Sequence, residues 1–248
     1  MKKLHAMTLA YNDMALVEES VRLFRDQHPA WKYIPYYLVN CHWPVDKAES
    51  SKKLQAISNK YEIPILDPGK NLGVHGGWNY VIKELGLDGG DVLVGVDPDG
   101  RAQSSNWAHA LMDVFNERPE MYYGTCNDDR YYKFGWHMCS HDHQTESGIR
   151  YLTFSRVVAW SLGGFDIGWV KRIGGLNQVS KYYGGIEDYV YNKATTLGGR
   201  FFKLKDHTDK HIYDVNEDYV KWKRHQCKFT LADDIDFEQW LIREGKLK

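Results

Sequence analysis

The chain has 248 residues, sets 32 Lys and Arg against 33 Asp and Glu, and carries a formal net charge of −1. That length suits one domain with a sizeable core, and the charge balance excludes a general attraction to nucleic acid or an anionic membrane. Aromatic residues make up 14% of the chain, with 17 Tyr and 9 Trp; their flat faces and polar tips suit stacking on sugars or bases, and collagen-like, acidic-disordered and disulfide-scaffold classes are excluded.

Residues 4–10 read as a buried strand ending at Tyr11-Asn12-Asp13. Asp13 is placed to cap a helix over Met14–Gln27, where Met14, Val17, Val21 and Phe24 share one face. Residues 33–41 read as a second strand, 46–61 as a polar helix and 63–66 as a short strand. Asn71-Leu72-Gly73-Val74-His75-Gly76-Gly77-Trp78-Asn79 then runs into a helix through Leu85. Gly89-Gly90 breaks the chain before an apolar strand at 91–96, whose end carries Asp97-Pro98-Asp99. A helix at 106–116 and a strand at 121–125 follow. This alternation predicts an α/β fold with a mostly parallel central sheet flanked by helices.

Residues 127–150 are polar and read as a long loop or hairpin. From Val157 the chain is apolar again through Ser161-Leu162-Gly163-Gly164-Phe165-Asp166. Glu187-Asp188 opens a helix to about Leu197, which Gly198 can end, and 201–204 is a short strand. Residues 216–248 read as a helical extension, with Phe237, Trp240 and Leu241 at helical spacing. Cys41, Cys126, Cys139 and Cys227 form no CxxC pair, the N-terminal apolar stretch is too short for a signal peptide, and no window reaches the length of a membrane span. A soluble, reduced, cytoplasmic chain is therefore the expectation.

Several constellations carry chemistry, and each has a plain structural alternative. Asp97-Pro98-Asp99 offers two carboxylates that can converge on one Mg²⁺ or Mn²⁺, or it is a turn. Its place at a strand's carboxyl end favours the ligand reading. The Asn71–Asn79 block lets backbone approach a phosphate at a helix N-terminus, or serves close helix–strand packing. Gly184-Gly185-Ile186-Glu187-Asp188 puts two carboxylates at a helix N-terminus, as a general base or as a cap. His207 and His211 follow a strand and either can complete a metal site. His137, Cys139, His141 and His143 recur at a spacing of two, which suits zinc on an extended segment, with a solvated loop as the other account.

Taken in order, these blocks resemble the family 2 glycosyltransferases of the GT-A, nucleotide-diphospho-sugar transferase fold. The blocks are Leu9-Ala10-Tyr11-Asn12, the Asn71–Asn79 block, Asp97-Pro98-Asp99, and Ile173-Gly174-Gly175-Leu176 with Gly184-Gly185-Ile186-Glu187-Asp188. The resemblance runs from Leu4 to about Tyr213. It implies a GT-A-like domain over 1–215 with a small antiparallel acceptor-side region, and a helical extension over 216–248. Within that domain, 1–126 would be the nucleotide-sugar half and 127–215 the acceptor half.

The same resemblance implies roles for individual residues. Ala10, Tyr11, Asn12, Asn40, Asn71, Gly73, Gly77, Asn79 and Asp97 would bind the nucleotide-sugar. Asp97, Asp99 and His207 (with His211 as fallback) would hold Mn²⁺ or Mg²⁺. Asp188 would be the base with Glu187 beside it, and Trp160, Gly164, Trp169 and Gly185 would face the acceptor. Asn40-Cys41-His42-Trp43 departs from the family's acidic end of the second strand. The activity implied is a metal-dependent, inverting hexosyl or pentosyl transfer from a nucleotide-diphosphate donor, UDP-linked first, to a hydroxyl, with a saccharide favoured. A hydroxylated DNA base as acceptor, or a non-catalytic carbohydrate-binding module, are the alternatives.

Overall fold

The apolar, β-branched segments of the first half become strands and the periodic segments between them become helices. The computed structural model describes residues 2–11, 13–128, 140–154, 162–176, 186–212, 216–226 and 235–247. In chain order its strands are β1 (Lys3–Ala10), β2 (Tyr36–Asn40), β3 (Ile65–Leu66), β4 (Asp91–Gly95), β5 (Gly100–Ala102), β6 (Met121–Asp128), β7 (Ser140–Gln144), β8 (Arg150–Phe154), β9 (Gly163–Asp166) and β10 (Arg200–His211). Its helices are α1 (Met14–Gln27), α2 (Lys47–Tyr61), α3 (Gly73–Glu84), α4 (Trp107–Glu117), α5 (Ile167–Arg172), α6 (Ile186–Thr196), α7 (Glu217–Gln226) and α8 (Phe237–Arg243).

Among the described residues all ten strands join one sheet in the order β3-β2-β1-β4-β9-β6-β10-β8-β7, with β5 on β10. The run β3-β2-β1-β4 is wholly parallel, as the strand–helix alternation predicts. Beyond it, β9 lies antiparallel between β4 and β6, and β10 pairs parallel with β6 and antiparallel with β8 and β5.

Alternation along β4 shows how the sheet divides the core. Val92 and Val94 face α1, α2 and α4 with Val17, Phe24, Leu54 and Trp107. Leu93 faces α3, α5 and α6 with Trp78, Val81, Trp169 and Val190. The result is a helix–sheet–helix sandwich. A third cluster, of Trp43, Trp222, Phe237, Trp240 and Leu241, fixes α7 and α8 to the loop after β2. Asp13 caps α1 by accepting from Ala15 N at 2.7 Å, as expected. Gly198, at φ +84°, ends α6 in the left-handed conformation that glycine adopts without strain. Among the described residues no helix is long and apolar enough to cross a membrane.

Candidate functional site

The parallel strands all end on one side of the sheet, where open α/β folds bind ligands. Register places Ala10 beside Asn40 and Val39 beside Leu66. Val96 N donates to Met7 O at 2.8 Å, so Asp97 leaves β4 on the same edge. Thr8, fully buried, anchors that exit by donating to Val96 O at 2.9 Å while sharing a 2.6 Å hydrogen bond with Tyr36 Oη.

Asp97-Pro98-Asp99-Gly100 is a closed turn, with Gly100 N donating to Asp97 O at 3.1 Å. Both aspartates are half-buried. β5 then pairs with the end of β10, setting His211 opposite Gly100, and Ile212 N donates to Asp99 O at 2.7 Å. The His211 backbone therefore runs beside the Asp99 turn, while its side chain lies outside the described residues. His207, expected as the third metal ligand, has one ring nitrogen engaged by a neighbouring side chain. Its Nδ1 shares a 2.9 Å hydrogen bond with Ser104 Oγ, and burial lowers its pKa against the opposing pull of Asp206. Of the two histidines, His211 is the one whose backbone the β5–β10 ladder sets opposite Gly100, at the end of the turn.

At the ends of β2 and β3 the acid comes from a residue that the sequence reading passed over. Asn40 Nδ2 donates to Asp67 Oδ2 at 3.0 Å, His42 Nε2 meets Asp67 Oδ1 at 2.6 Å, and Gly69 N donates to Asp67 Oδ1 at 2.7 Å. Partial burial raises the Asp67 pKa, but the hydrogen bonds from Gly69, His42 and Asn40 outweigh it and hold the carboxyl below its usual range. Asn40 thus presents a carboxylate from the neighbouring strand. The signal was legible, since Asp67-Pro68-Gly69 is an acid followed by turn formers at a strand end.

Much of the Asn71–Asn79 block is committed to structure. Asn71 Oδ1 accepts from Gly73 N at 2.9 Å, shaping the entry to α3. A Cβ on Gly77 would stand 2.8 Å from Leu9 Cδ2, so Gly77 lets α3 lie close on β1. Asn79 accepts from Leu176 N and donates to Leu176 O, both at 3.0 Å, and so ties the block to Gly174-Gly175-Leu176. Gly77 and Asn79, expected at the nucleotide, thus also serve close packing and this clamp. The clamp itself brings two of the four sequence blocks together.

Tyr11, at the end of β1, joins an aromatic cluster that the sequence did not show. Its ring sits edge-on to Trp43 at 4.8 Å and near Tyr219 at 5.7 Å, under the C-terminal helices. Burial, then Tyr219 and Asp236, push its phenol well above the usual value, and its hydroxyl is buried without a hydrogen-bond partner among the described residues. Ala10 is buried in the sheet.

On the expected acceptor side, Gly164 is internal to the sheet. A Cβ there would meet Leu93 O at 2.7 Å, which assigns this glycine to close strand pairing. Trp169 is 7% exposed and donates from Nε1 to Pro119 O at 2.7 Å, and Trp78 packs edge-on to Phe165 at 5.1 Å. Both are core residues and present no stacking face. Glu187 and Asp188 lie in the first turn of α6, with side chains outside the described residues. Asn12, Trp136, Trp160 and Gly185 lie outside the described residues, as do His137 and Cys139. His141 and His143 form part of β7, where His143 Nε2 meets Thr153 Oγ1 at 3.0 Å. Ordinary strand pairing thus accounts for this half of the His-rich run.

Among the described residues no group of three or more His, Cys, Asp or Glu is placed to hold a metal ion. Asp97 and Asp99 still suit a cation that also binds diphosphate oxygens, because such an ion needs only part of its shell from protein.

No known family profile matches the chain, and no curated protein matches it in sequence. Solved structures do match in shape. GalNAc-T7 with UDP, GalNAc and Mn²⁺ superposes with a TM-score of 0.66 at 10% identity, covering 100% of this chain and 55% of that one. The mannosyltransferase PcManGT from Pyrobaculum calidifontis, in complex with GDP-Man and Mn²⁺, superposes with a TM-score of 0.66 at 14% identity, covering 99% of this chain and 66% of that one. The chain thus spans 55% and 66% of the lengths of these two proteins. With the parallel run β3-β2-β1-β4 and Asp97-Pro98-Asp99 at its edge, they establish that this chain has a GT-A, glycosyltransferase-like fold.

Proposed function

We propose that the chain is a metal-dependent glycosyltransferase moving a sugar from a nucleotide-diphosphate donor to a hydroxyl, with inversion and with a saccharide as acceptor. The observation that carries this is the Asp97–Asp99 turn, closed on itself and held by β10 at the carboxyl edge of the parallel strands. Both structural neighbours carry Mn²⁺ and a nucleotide or nucleotide-sugar, which supports a divalent cation and a donor of that class.

Asp97 and Asp99 would hold Mn²⁺ or Mg²⁺, with His211 the third ligand that the strand register favours. A cation bound there supplies charge neutralisation for the departing diphosphate. Asp188, in the first turn of α6, takes the acceptor hydroxyl's proton; the helix dipole favours its charged form. As the acceptor oxygen bonds to the anomeric carbon, the bond from that carbon to the diphosphate breaks, through an oxocarbenium-like state. Asp67, presented by Asn40 and His42, is an acceptor for N–H groups of the base.

The test is a thermal-shift panel of UDP- and GDP-sugars with Mn²⁺, followed by turnover of any stabilising donor. One donor should raise the melting temperature in a Mn²⁺-dependent manner and be consumed. The reading is overturned if no donor does so, or if Asp99→Asn responds as the parent does.

A further inference from the structure

Arg101 follows the aspartate turn directly, in β5, yet its side chain folds back over that turn. Nη1 donates to Pro98 O at 2.5 Å and to Gly100 O at 2.9 Å, and Nη2 donates to Glu19 Oε2 of α1 at 2.8 Å. The side chain is only 7% exposed, and its Nε is buried without a hydrogen-bond partner among the described residues. Burying a guanidinium is costly, and leaving one N–H unsatisfied adds to the cost. The turn itself does not need this clamp, because Gly100 N already closes it onto Asp97 O.

What the guanidinium adds is restraint on Asp99. The carbonyl before Asp99, that of Pro98, is held by Arg101, and the carbonyl of Asp99 is held by Ile212 N at 2.7 Å. The peptide planes on both sides of the Asp99 Cα are therefore fixed, and with them the direction of its Cα–Cβ bond. Glu19 does two things for this arrangement: it orients the guanidinium, and its charge offsets a cation that would otherwise oppose a dication nearby.

We propose that Arg101, tethered by Glu19, is the positioning residue of the cation site: it fixes the direction from which Asp99 presents its carboxylate, and so sets the affinity for a divalent cation. This rests on the reading that Asp97 and Asp99 hold that cation. The physical basis is preorganisation, since a carboxylate already aimed loses less freedom when the ion arrives.

The experiment titrates Mn²⁺ alone into the full chain, following free Mn²⁺ by electron paramagnetic resonance, well below each variant's melting temperature. Arg101→Lys keeps the charge and loses the fork; Glu19→Gln, at a more exposed position, loses only the tether and safeguards the test should Arg101→Lys fold poorly. Each should raise the Mn²⁺ dissociation constant by about tenfold, the range typical of groups that orient ligands, and Asp99→Asn should abolish tight binding. The inference is overturned if both variants bind Mn²⁺ within about twofold of the parent while Asp99→Asn loses it, because a merely structural role lowers the melting temperature without changing that constant. If Asp99→Asn binds as the parent does, the cation-site reading itself fails, and the role of Arg101 falls with it.

Discussion

Gly77→Ala separates a packing glycine from a ligand-binding one. A Cβ at this position would lie 2.8 Å from Leu9 Cδ2, 3.5 Å from Leu9 Cδ1 and 3.8 Å from Leu9 Cγ, so its three nearest neighbours all belong to one side chain. Two opposed effects follow. Replacing an interior helical glycine by alanine favours the helix by about 1 kcal/mol, while overpacking a close interface costs about 1–3 kcal/mol. The net expectation is a loss of roughly 0–2 kcal/mol, or a melting temperature lower by up to about 8 °C for a chain of this size. In a Leu9→Ala background the obstructing methyl groups are absent, so the same substitution should stabilise by about 1 kcal/mol. Urea unfolding of the parent, both single variants and the double variant gives the coupling directly. Mn²⁺-dependent nucleotide binding, measured in parallel, should track the folded fraction. Equal effects of Gly77→Ala in both backgrounds, with nucleotide binding lost in both, would refute the packing account and return Gly77 to the phosphates.

Other predictions concern the metal, the base, acid stability and the C-terminal helices. His211→Ala should raise the Mn²⁺ concentration for half-maximal activity by tenfold or more, while His207→Ala should leave it within about twofold; the reverse ranking would restore His207. Asp188→Asn should abolish transfer yet keep nucleotide affinity in calorimetry, and near-normal turnover would remove Asp188 from the role of base. His28 is buried between Phe24 O and Ala108 N, and burial lowers its pKa to about 4. Its neutral form is favoured on folding, so this stability is complete above pH ~6.5 and is lost as pH falls toward the folded value, by roughly 3 kcal/mol in full. His28→Gln should flatten part of that loss in urea titrations between pH 7 and 4; His75, lowered by burial to about 3, keeps its own share. An unchanged pH profile would count against His28. Phe237→Ala, at a fully buried position stacked 4.9 Å from Trp43, should cost about 3–5 kcal/mol and expose Tyr11 to quenchers.

The first half of the fold was legible because each element answers to local rules. The helix at Met14–Gln27 follows from its cap and its apolar face, and β4 follows from an unbroken apolar run. The elements that were not foreseen, or were left open between loop and hairpin, depend on pairing partners. β9 begins Gly-Gly, which reads as a turn, yet those glycines are what allow a strand to fit between β4 and β6. β7, Ser-His-Asp-His-Gln, has no apolar face and becomes a strand only because β8 pairs with it.

The site divides along the same line. Asp97-Pro98-Asp99 was legible from composition and position. Asp67 carried a local signal as an acid before turn formers, but its pairing with Asn40 and the contacts of Arg101 did not show, because they arise from side chains that reach over to a neighbouring strand or back across a turn. Asn79 carried a ligand expectation, and the structure adds a contact that spacing could not show, the clamp on Leu176 between blocks far apart in sequence.

The aromatic cluster that joins Tyr11 and Trp43 to Tyr219 and Phe237 has a consequence for biosynthesis. A ribosome delivers Tyr11 and Trp43 well before their covers, Tyr219 and Phe237. Until those follow, the edge of β1 and β2 presents an uncovered aromatic surface, of the kind chaperones bind and nascent chains aggregate through. β10, which pairs with β5, β6 and β8, also emerges after all three. The nascent chain should thus resist protease over residues 3–95 well before the whole does, and that surface should close only when α7 and α8 have left the exit tunnel.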